Sequence, residues 1–155
     1  MGRKILAVIT GYISTAIIIF ITFTILYFIL GADGSFEPNS YRVSTTWIIL
    51  SIILGLIASL IGGYICMLIG KDKNTILILA GIVLVLGIII AVPELGSYNE
   101  AADLMRSSDT SNMEAMQNAK QPDAILILNP ILGAIGVWLG GKLRKEGKAP
   151  EIKTA

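Results

Sequence analysis

The side chains that could carry chemistry in this sequence are few. The chain has 155 residues, with no histidine and a single cysteine, Cys66. Without histidine it can form neither a Ser-His-Asp nor a Cys-His nucleophile nor a His-ligated metal site, and it lacks the usual proton shuttle near neutral pH. One cysteine excludes an internal disulfide and a C-x-x-C redox centre. The sequence therefore predicts a protein that is not an enzyme and that holds no cofactor and no metal ion.

Acids and methionines gather in one polar segment, the outer loop at residues 93–123. Thioethers can bind Cu(I), and carboxylates can bind Ca²⁺ or act as an acid/base pair. The acids lack the spacing of a calcium-binding loop and alternate with positions that cap helices, which favours a solvated surface. The acids are Glu94, Glu100, Asp103, Asp109, Glu114 and Asp123, and the methionines are Met105, Met113 and Met116.

One strongly polar side chain, Asn129, stands inside an otherwise apolar stretch. The next residue, Pro130, removes a helix hydrogen bond and bends the segment. An amide in this position either bonds to a neighbouring helix or lines a polar path for a solute. Hydroxyl groups of an earlier apolar stretch could line the same path: Thr10, Ser14, Thr15, Thr22 and Thr24.

The elements that must position these residues are four long uncharged stretches. Of the chain, 54% is hydrophobic and 15% is charged, and the mean hydropathy is +0.77. A helix of roughly 20 apolar residues crosses a ~30 Å hydrocarbon layer, where every backbone polar group must be bonded within the chain. The predicted fold class is all-α: a single domain forming an integral membrane four-helix bundle. The predicted spans are residues 5–30, 45–70, 75–92 and 124–141.

Basic residues are distributed unevenly between the two predicted sides. Nine lie on the side of the chain ends and the turn at residues 71–74: Arg3, Lys4, Lys71, Lys73, Lys142, Arg144, Lys145, Lys148 and Lys153. Three lie on the other side: Arg42, Arg106 and Lys120. The positive-inside rule then places both termini in the cytoplasm, and aromatic residues, including Tyr27 and Trp47, fall at the outer boundary.

A basic tail is predicted at residues 142–155 on the cytoplasmic side. Its first cations, Lys142, Arg144, Lys145 and Lys148, are expected to contact anionic lipid headgroups. The general pattern is similar to that of small four-span proteins of bacterial inner membranes, which makes that membrane the expected location.

Capping patterns predict where several helices begin. Ser44 is a plausible N-cap of the second span. In the outer loop, Ser97 with Glu100 and Ser111 with Glu114 have the spacing of capping boxes. They predict two short helices, at about residues 98–106 and 112–120.

Small residues recur four apart in the spans, which places them on one face of each helix. Such faces let backbones approach closely in a membrane. They either pack the four helices of this chain together or dock a second copy or another membrane subunit. The residues are Gly11 in the first span, Ser51, Gly55, Ser59 and Gly63 in the second, and Gly136 and Gly140 in the fourth.

Together these patterns favour a non-catalytic small integral membrane protein that acts through helix packing. It is expected to be an accessory or structural subunit of a larger membrane complex, or a homo-oligomer. Its expected partners are the lipid bilayer and either another membrane protein or a second copy of itself. A net charge of +1 gives no reason to expect nucleic acid. The alternative is a channel or facilitator for water, an ion or a small neutral solute.

Overall fold

The computed structural model describes residues 2–101, 104–107 and 109–144. These residues form six α-helices and no strand: α1 at Gly2–Ser35, α2 at Thr45–Gly70, α3 at Lys73–Ala91, α4 at Ser97–Glu100, α5 at Asn112–Gln117 and α6 at Asp123–Leu143. A 3-10 turn at Val92–Glu94 follows α3. Four of the helices, α1, α2, α3 and α6, are long and apolar enough to cross a membrane. The prediction of an all-helical chain with four long apolar helices is therefore confirmed.

Helix α1 is longer than the predicted span at residues 5–30. It continues to Ser35, but Gly31 interrupts it with φ 63° and ψ −179°. Glycine adopts that conformation readily, whereas a residue with a Cβ is strained in it. The apolar stretch therefore ends at a kink, and residues 32–35 form one further turn beyond it.

The ends of α2 and the start of α3 follow from local hydrogen bonds. The Ser44 hydroxyl accepts a bond from the Trp47 backbone N–H at 3.1 Å, which confirms the predicted N-cap. Lys71 takes a left-handed conformation and donates its backbone N–H to the Met67 carbonyl, which ends α2. The Asp72 carboxylate then accepts from the Asn74 backbone N–H and begins α3. The connection is consequently a tight turn.

The polar segment between α3 and α6 is less helical than predicted. Ser111 accepts from the Glu114 backbone N–H at 3.2 Å, so it is the N-cap of α5 and makes one of the two bonds of the predicted capping box, and α5 ends at Gln117. It stops there because the Lys120 backbone N–H donates to the Tyr41 carbonyl.

The first predicted capping box is wrong. Helix α4 begins after Gly96, whose φ is 87°, and Ser97 is its first helical residue without a side-chain cap. The predicted helix at residues 98–106 is also too long, since α4 ends at Glu100. Met105 pairs with Ser40, and the Arg106 backbone N–H donates to the Asn39 carbonyl. Pairing with the loop between α1 and α2 therefore competes successfully with helix formation.

The two ends of the bundle differ in how they are closed. We call the end that carries residues 71–74 the turn end, and the end that carries residues 36–44 and 92–122 the cap end. The turn-end core consists of Ala7, Cys66, Met67, Ile76, Leu79 and Val137. The cap-end core consists of Leu26, Tyr27, Phe36, Val43, Trp47 and Ala115.

Helix α2 lies between α1 and α6, and α3 packs mainly on α6. The tight turn predicts that α2 and α3 are direct neighbours, but they contact each other much less than either contacts α6. Backbone contacts at glycines explain this arrangement. The Leu60 carbonyl oxygen of α2 occupies the place of a Cβ on Gly140, and the Val137 carbonyl oxygen of α6 does the same at Gly63.

We expect Gly140→Ala to lower the free energy of unfolding by about 1–3 kcal/mol, because the new methyl group forces α2 and α6 apart. The matched control is Gly81→Ala, since a Cβ on Gly81 meets no atom within 4 Å. That variant should keep or gain stability, by up to about 1 kcal/mol, because alanine favours a helix. Unfolding in mild detergent measures both variants. Equal losses at the two positions would contradict the close contact.

An ion pair fastens α1 to the turn before α3. The Lys4 ammonium lies 2.7 Å from the Asp72 carboxylate, and the Arg3 guanidinium donates to the Ile69 carbonyl. The hydrogen bond from Lys4 holds the pKa of Asp72 below its ordinary value of 3.8. A pKa that is lower in the folded state stabilises the fold at pH values above the ordinary pKa of the group. This contribution is lost as the pH falls through the folded pKa.

The unfolding midpoint should therefore vary little with pH near neutrality and should fall below about pH 4 as Asp72 takes up a proton. Asp72→Asn should lower the midpoint at neutral pH and reduce the acid-dependent fall, because the ionised partner of Lys4 is gone. Thermal unfolding at a series of pH values measures both effects. An acid-dependent fall of the same size in the variant would show that Asp72 is not linked to stability.

Candidate ligand-binding cavity

A cavity of about 700 Å³ lies in the cap-end half of the bundle. All four long helices contribute to its wall, and α5 contributes Met116. Its main lining residues are Tyr12, Thr15, Phe20, Phe23 and Tyr27 from α1, Trp47, Ser51, Gly55 and Ser59 from α2, Val83, Gly87 and Ile90 from α3, and Leu126, Asn129, Pro130 and Gly133 from α6. The cavity is therefore a feature of the whole bundle and not of one helix pair.

The cavity is closed toward the turn end. A Cβ on Gly11 would lie 3.0 Å from the Gly62 carbonyl oxygen, and one on Gly62 would lie 2.9 Å from the Gly11 carbonyl oxygen. The backbones of α1 and α2 are thus in contact, and the Thr15 side chain lies against Gly62. Leu79 of α3 packs at the same level of the bundle, since its Cδ2 would lie 2.8 Å from a Cβ on Gly11. With the turn-end core beyond this level, the cavity is blind.

Six hydroxyl groups line the wall, those of Tyr12 and Tyr27 among them, and each of the four serine and threonine hydroxyls donates its proton to its own helix. Thr15 bonds to the Gly11 carbonyl at 2.9 Å and Thr24 to the Phe20 carbonyl at 2.7 Å. Ser51 and Ser59 bond in the same way, to Ile48 at 2.9 Å and Gly55 at 2.8 Å. These four donors are therefore satisfied within their own helices. Thr10, Ser14 and Thr22 are not among the lining residues in the described part of the chain.

Asn129 and Pro130 both reach the cavity, with different neighbours. The Asn129 amide donates to the Gln121 side-chain oxygen at 3.3 Å, so it bonds to the segment that precedes α6 and not to another long helix. Pro130 is buried against α3, where a Cβ on Gly87 would lie 2.7 Å from its Cβ. Both residues therefore shape the cap-end part of the wall.

Trp47 is the one lining side chain whose buried polar atom is unsatisfied in the described part of the chain. The residue is 2% exposed, and its indole Nε1 has no hydrogen-bond partner among the described residues. The ring is fixed by Tyr27, at a centroid distance of 3.9 Å, and by Phe23, in an edge-on contact at 5.6 Å. A buried donor left unbonded costs about 1–3 kcal/mol.

Sequence patterns did not single out Trp47 as a binding residue. The sequence places it at the membrane boundary, where tryptophan is common, and no pattern in the chain indicates that its N–H is buried. Burial against Tyr27 and Phe23 arises only when α1 and α2 pack together.

A neutral ion pair stands beside the cap end of the cavity. The Lys120 ammonium donates to the Glu94 carboxylate at 2.9 Å, and Glu94 lines the cavity. The Asp123 carboxylate accepts from the Gly96 backbone N–H at 3.0 Å, which fixes the chain just after Glu94. The rim therefore presents both signs of charge.

The small-residue face of α2 divides into two parts. Ser51, Gly55 and Ser59 line the cavity, and a Cβ on Gly55 would meet no atom within 4 Å. Gly63 contacts Val137 of α6. The remaining predicted packing residues also face other helices of this chain: Gly11 faces α2 and α3, Gly136 faces Ser59, and Gly140 faces Leu60. Docking of a second copy or another subunit on these residues stays a prediction.

The remaining candidates of the sequence are not brought together. Within the described residues, no group of three acids or cysteines could hold a metal ion. Met105 and Met113 are exposed, while Met116 lines the cavity. The ammonium of Lys142 lies 3.4 Å from the centre of the Trp138 ring, and Arg144 is the last described residue. Asp103, Lys145 and Lys148 lie outside the described residues, and lipid contact by the tail stays a prediction.

Comparison with known proteins gives no family for this chain. No family model matches it, and no curated protein or solved structure is significantly similar to it. The cavity is consequently the feature of the molecule on which a function can be based.

Proposed function

We propose that this protein is a non-catalytic integral membrane protein that holds one apolar molecule of the bilayer inside its helix bundle. The observation that carries the proposal is the blind, largely apolar cavity of about 700 Å³. Pockets for small molecules typically measure roughly 300–1,000 Å³ and combine apolar walls with a few polar groups.

The place of entry is the gap between α1 and α3. These two helices contact each other much less than α1 contacts α2 or α3 contacts α6. Two side chains that line the cavity in this gap are largely exposed: Phe20 of α1 at 70% and Ile90 of α3 at 68%. For helices that span a bilayer, such apolar side chains face lipid tails. An apolar molecule can therefore enter sideways from the membrane.

This proposal keeps the non-catalytic role expected from the sequence. The expected helix packing against another protein is replaced by binding of a molecule between the helices of this chain. The predicted packing glycines at the turn end contact other helices of this chain. The cavity wall is therefore the surface that this proposal uses. The geometry favours binding over the alternative of a solute facilitator for two reasons. The cavity is blind toward the turn end, and the serine and threonine hydroxyls on its wall donate to their own helices.

Gly55→Leu should fill the cavity and abolish binding without unfolding the bundle, because the position is open and leucine favours a helix. Gly81→Leu is the matched control, since it makes the same change at an equally open glycine outside the cavity. Native mass spectrometry of protein purified in mild detergent measures the bound molecule. It should be present in the wild type and in Gly81→Leu, and absent from Gly55→Leu.

Two results would count against this function. One is equal retention of apolar molecules by the two leucine variants, since that indicates only general contact with lipid. The other is a solute flux through liposomes that the wild type supports and that Asn129→Leu abolishes. That result would establish the facilitator in its place.

We also propose that the cap end faces the outside of a bacterial inner membrane and that both ends of this chain lie in the cytoplasm. The support is the distribution of basic residues between the two sides and the four long apolar helices.

Labelling of single cysteines with a membrane-impermeant maleimide tests this orientation. The native Cys66 is buried and gives little background. Met105→Cys, at an exposed cap-end position, should react in intact cells. Asn74→Cys, at the exposed turn end, should react only after the membrane is opened. The reverse labelling pattern would show that the cap end faces the cytoplasm.

A further inference from the structure

We infer that the molecule held in the cavity is a single-chain lipid with a small, uncharged, hydroxyl-bearing end, and that this end binds the Tyr27 hydroxyl. The inference rests on the proposed function, because it names the chemistry of the apolar molecule. Tyr27 is 5% exposed and lines the cavity. Within the described residues its hydroxyl forms no hydrogen bond and is not among the fully enclosed polar atoms, so it keeps accessible surface in the cavity wall.

The first step concerns what the Tyr27 hydroxyl requires. A tyrosine hydroxyl can both donate and accept a hydrogen bond, and a buried one usually has a partner. The ring that carries it is held by Trp47, at a centroid distance of 3.9 Å, and by Phe36, at 5.7 Å. A partner must therefore come to this hydroxyl from inside the cavity. The hydroxyl of an alcohol complements it, since it also donates and accepts, whereas a plain hydrocarbon does neither.

The second step concerns charge at the cap end of the cavity. The Asn129 amide donates to the Gln121 side-chain oxygen at 3.3 Å, which leaves the amide N–H groups of Gln121 without a partner in the described part of the chain. Glu94 is the only charged side chain among the described lining residues, and Lys120 at 2.9 Å neutralises it. A charged end on the bound molecule would add an unpaired charge here, which is costly away from water. The wall therefore favours an uncharged polar end.

The third step concerns size. At the ~30 Å³ that one water-sized group occupies in a liquid, a cavity of about 700 Å³ holds roughly twenty non-hydrogen atoms. Thr15 lies near the closed end, and Tyr27 lies twelve residues further along α1, which is about 18 Å at a rise of 1.5 Å per residue. One leaflet supplies roughly half of a ~30 Å hydrocarbon layer. One chain of one leaflet thus fits between these two positions, whereas a phospholipid with two chains exceeds the volume.

The second tyrosine of the wall, Tyr12, makes the orientation of the bound molecule testable. It lies fifteen residues before Tyr27 on α1 and packs against the turn-end core. The apolar end of the chain is expected at this level, because the cavity is closed here and its further polar groups lie toward the cap end. Tyr12 and Tyr27 therefore carry the same group at opposite ends of one cavity, and their phenylalanine variants form a matched pair.

The test compares two ligands that differ only at one end, a long-chain alcohol and the hydrocarbon of the same chain length. Trp138→Phe leaves Trp47, which lines the cavity, as the only tryptophan of the full-length chain. In detergent, the alcohol with bromine on its chain should quench Trp47 fluorescence, and the unbrominated ligands compete with it. The alcohol should bind about two- to tenfold more tightly than the hydrocarbon, as expected for one hydrogen bond.

Two variants and one further ligand locate the contact. In the Trp138→Phe background, Tyr27→Phe should remove the preference for the alcohol, because it keeps the ring and loses the hydroxyl. Tyr12→Phe should keep that preference. The ionised fatty acid of the same chain length should compete less well than the alcohol, because its charge has no partner in the wall.

The outcomes separate this inference from the function on which it rests. Equal competition by the alcohol and the hydrocarbon would overturn the contact with Tyr27, even if Tyr27→Phe failed to fold. Loss of the preference in Tyr12→Phe instead of Tyr27→Phe would overturn the orientation, and tighter binding of the fatty acid would overturn the uncharged end.

The proposed function would survive each of these results if Gly55→Leu still abolished the quenching and Gly81→Leu kept it. Quenching of wild-type size in both leucine variants would mean that the cavity is not a binding site, and both proposals would fall.

Discussion

Backbone contact between helices is the constraint on which this structure depends. Apolar side chains gain little by leaving lipid for protein, so helices in a membrane associate through close packing. Here the closest approaches are at glycines: Gly62 of α2 meets Gly11 of α1, and Gly63 and Gly140 bring α2 and α6 together. These contacts draw α1, α2 and α6 into a tight turn-end half. The cap-end half, where α1 and α3 have few mutual contacts, is left with a space between the helices.

The cap end of the bundle is held together by pairing between loops that are distant in sequence. The Arg106 side chain is 5% exposed, donates to the Ser40 carbonyl at 3.3 Å and lies over the Phe36 ring at 5.7 Å. Its ion pair with Asp33 contributes little by comparison, because the Asp33 side chain is 99% exposed and the interaction is weakened by water. Burial of the arginine stem and its bond to the backbone therefore add to the backbone hydrogen bonds that join the two loops.

The sequence was informative where structure follows from local patterns. Uncharged length predicted the four long helices, and the caps at Ser44 and Ser111 depend on residues three apart. It failed at Ser97, where the preceding Gly96 begins the helix in a left-handed conformation, and at Arg106, where bonding to a distant loop replaces the helix. The cavity was not predictable, because it is the space left between helices whose spacing is set by contacts between remote residues.

The polar side chains of the cavity wall differ in whether they can be satisfied without a ligand, and side-chain length explains the difference. A serine or threonine hydroxyl is short enough to reach the carbonyl three or four residues earlier, as Thr15 and Ser59 do. The indole N–H of Trp47 is carried at the far side of a rigid ring and does not bond back to its own helix. Short polar residues can therefore line an apolar site without requiring a polar ligand.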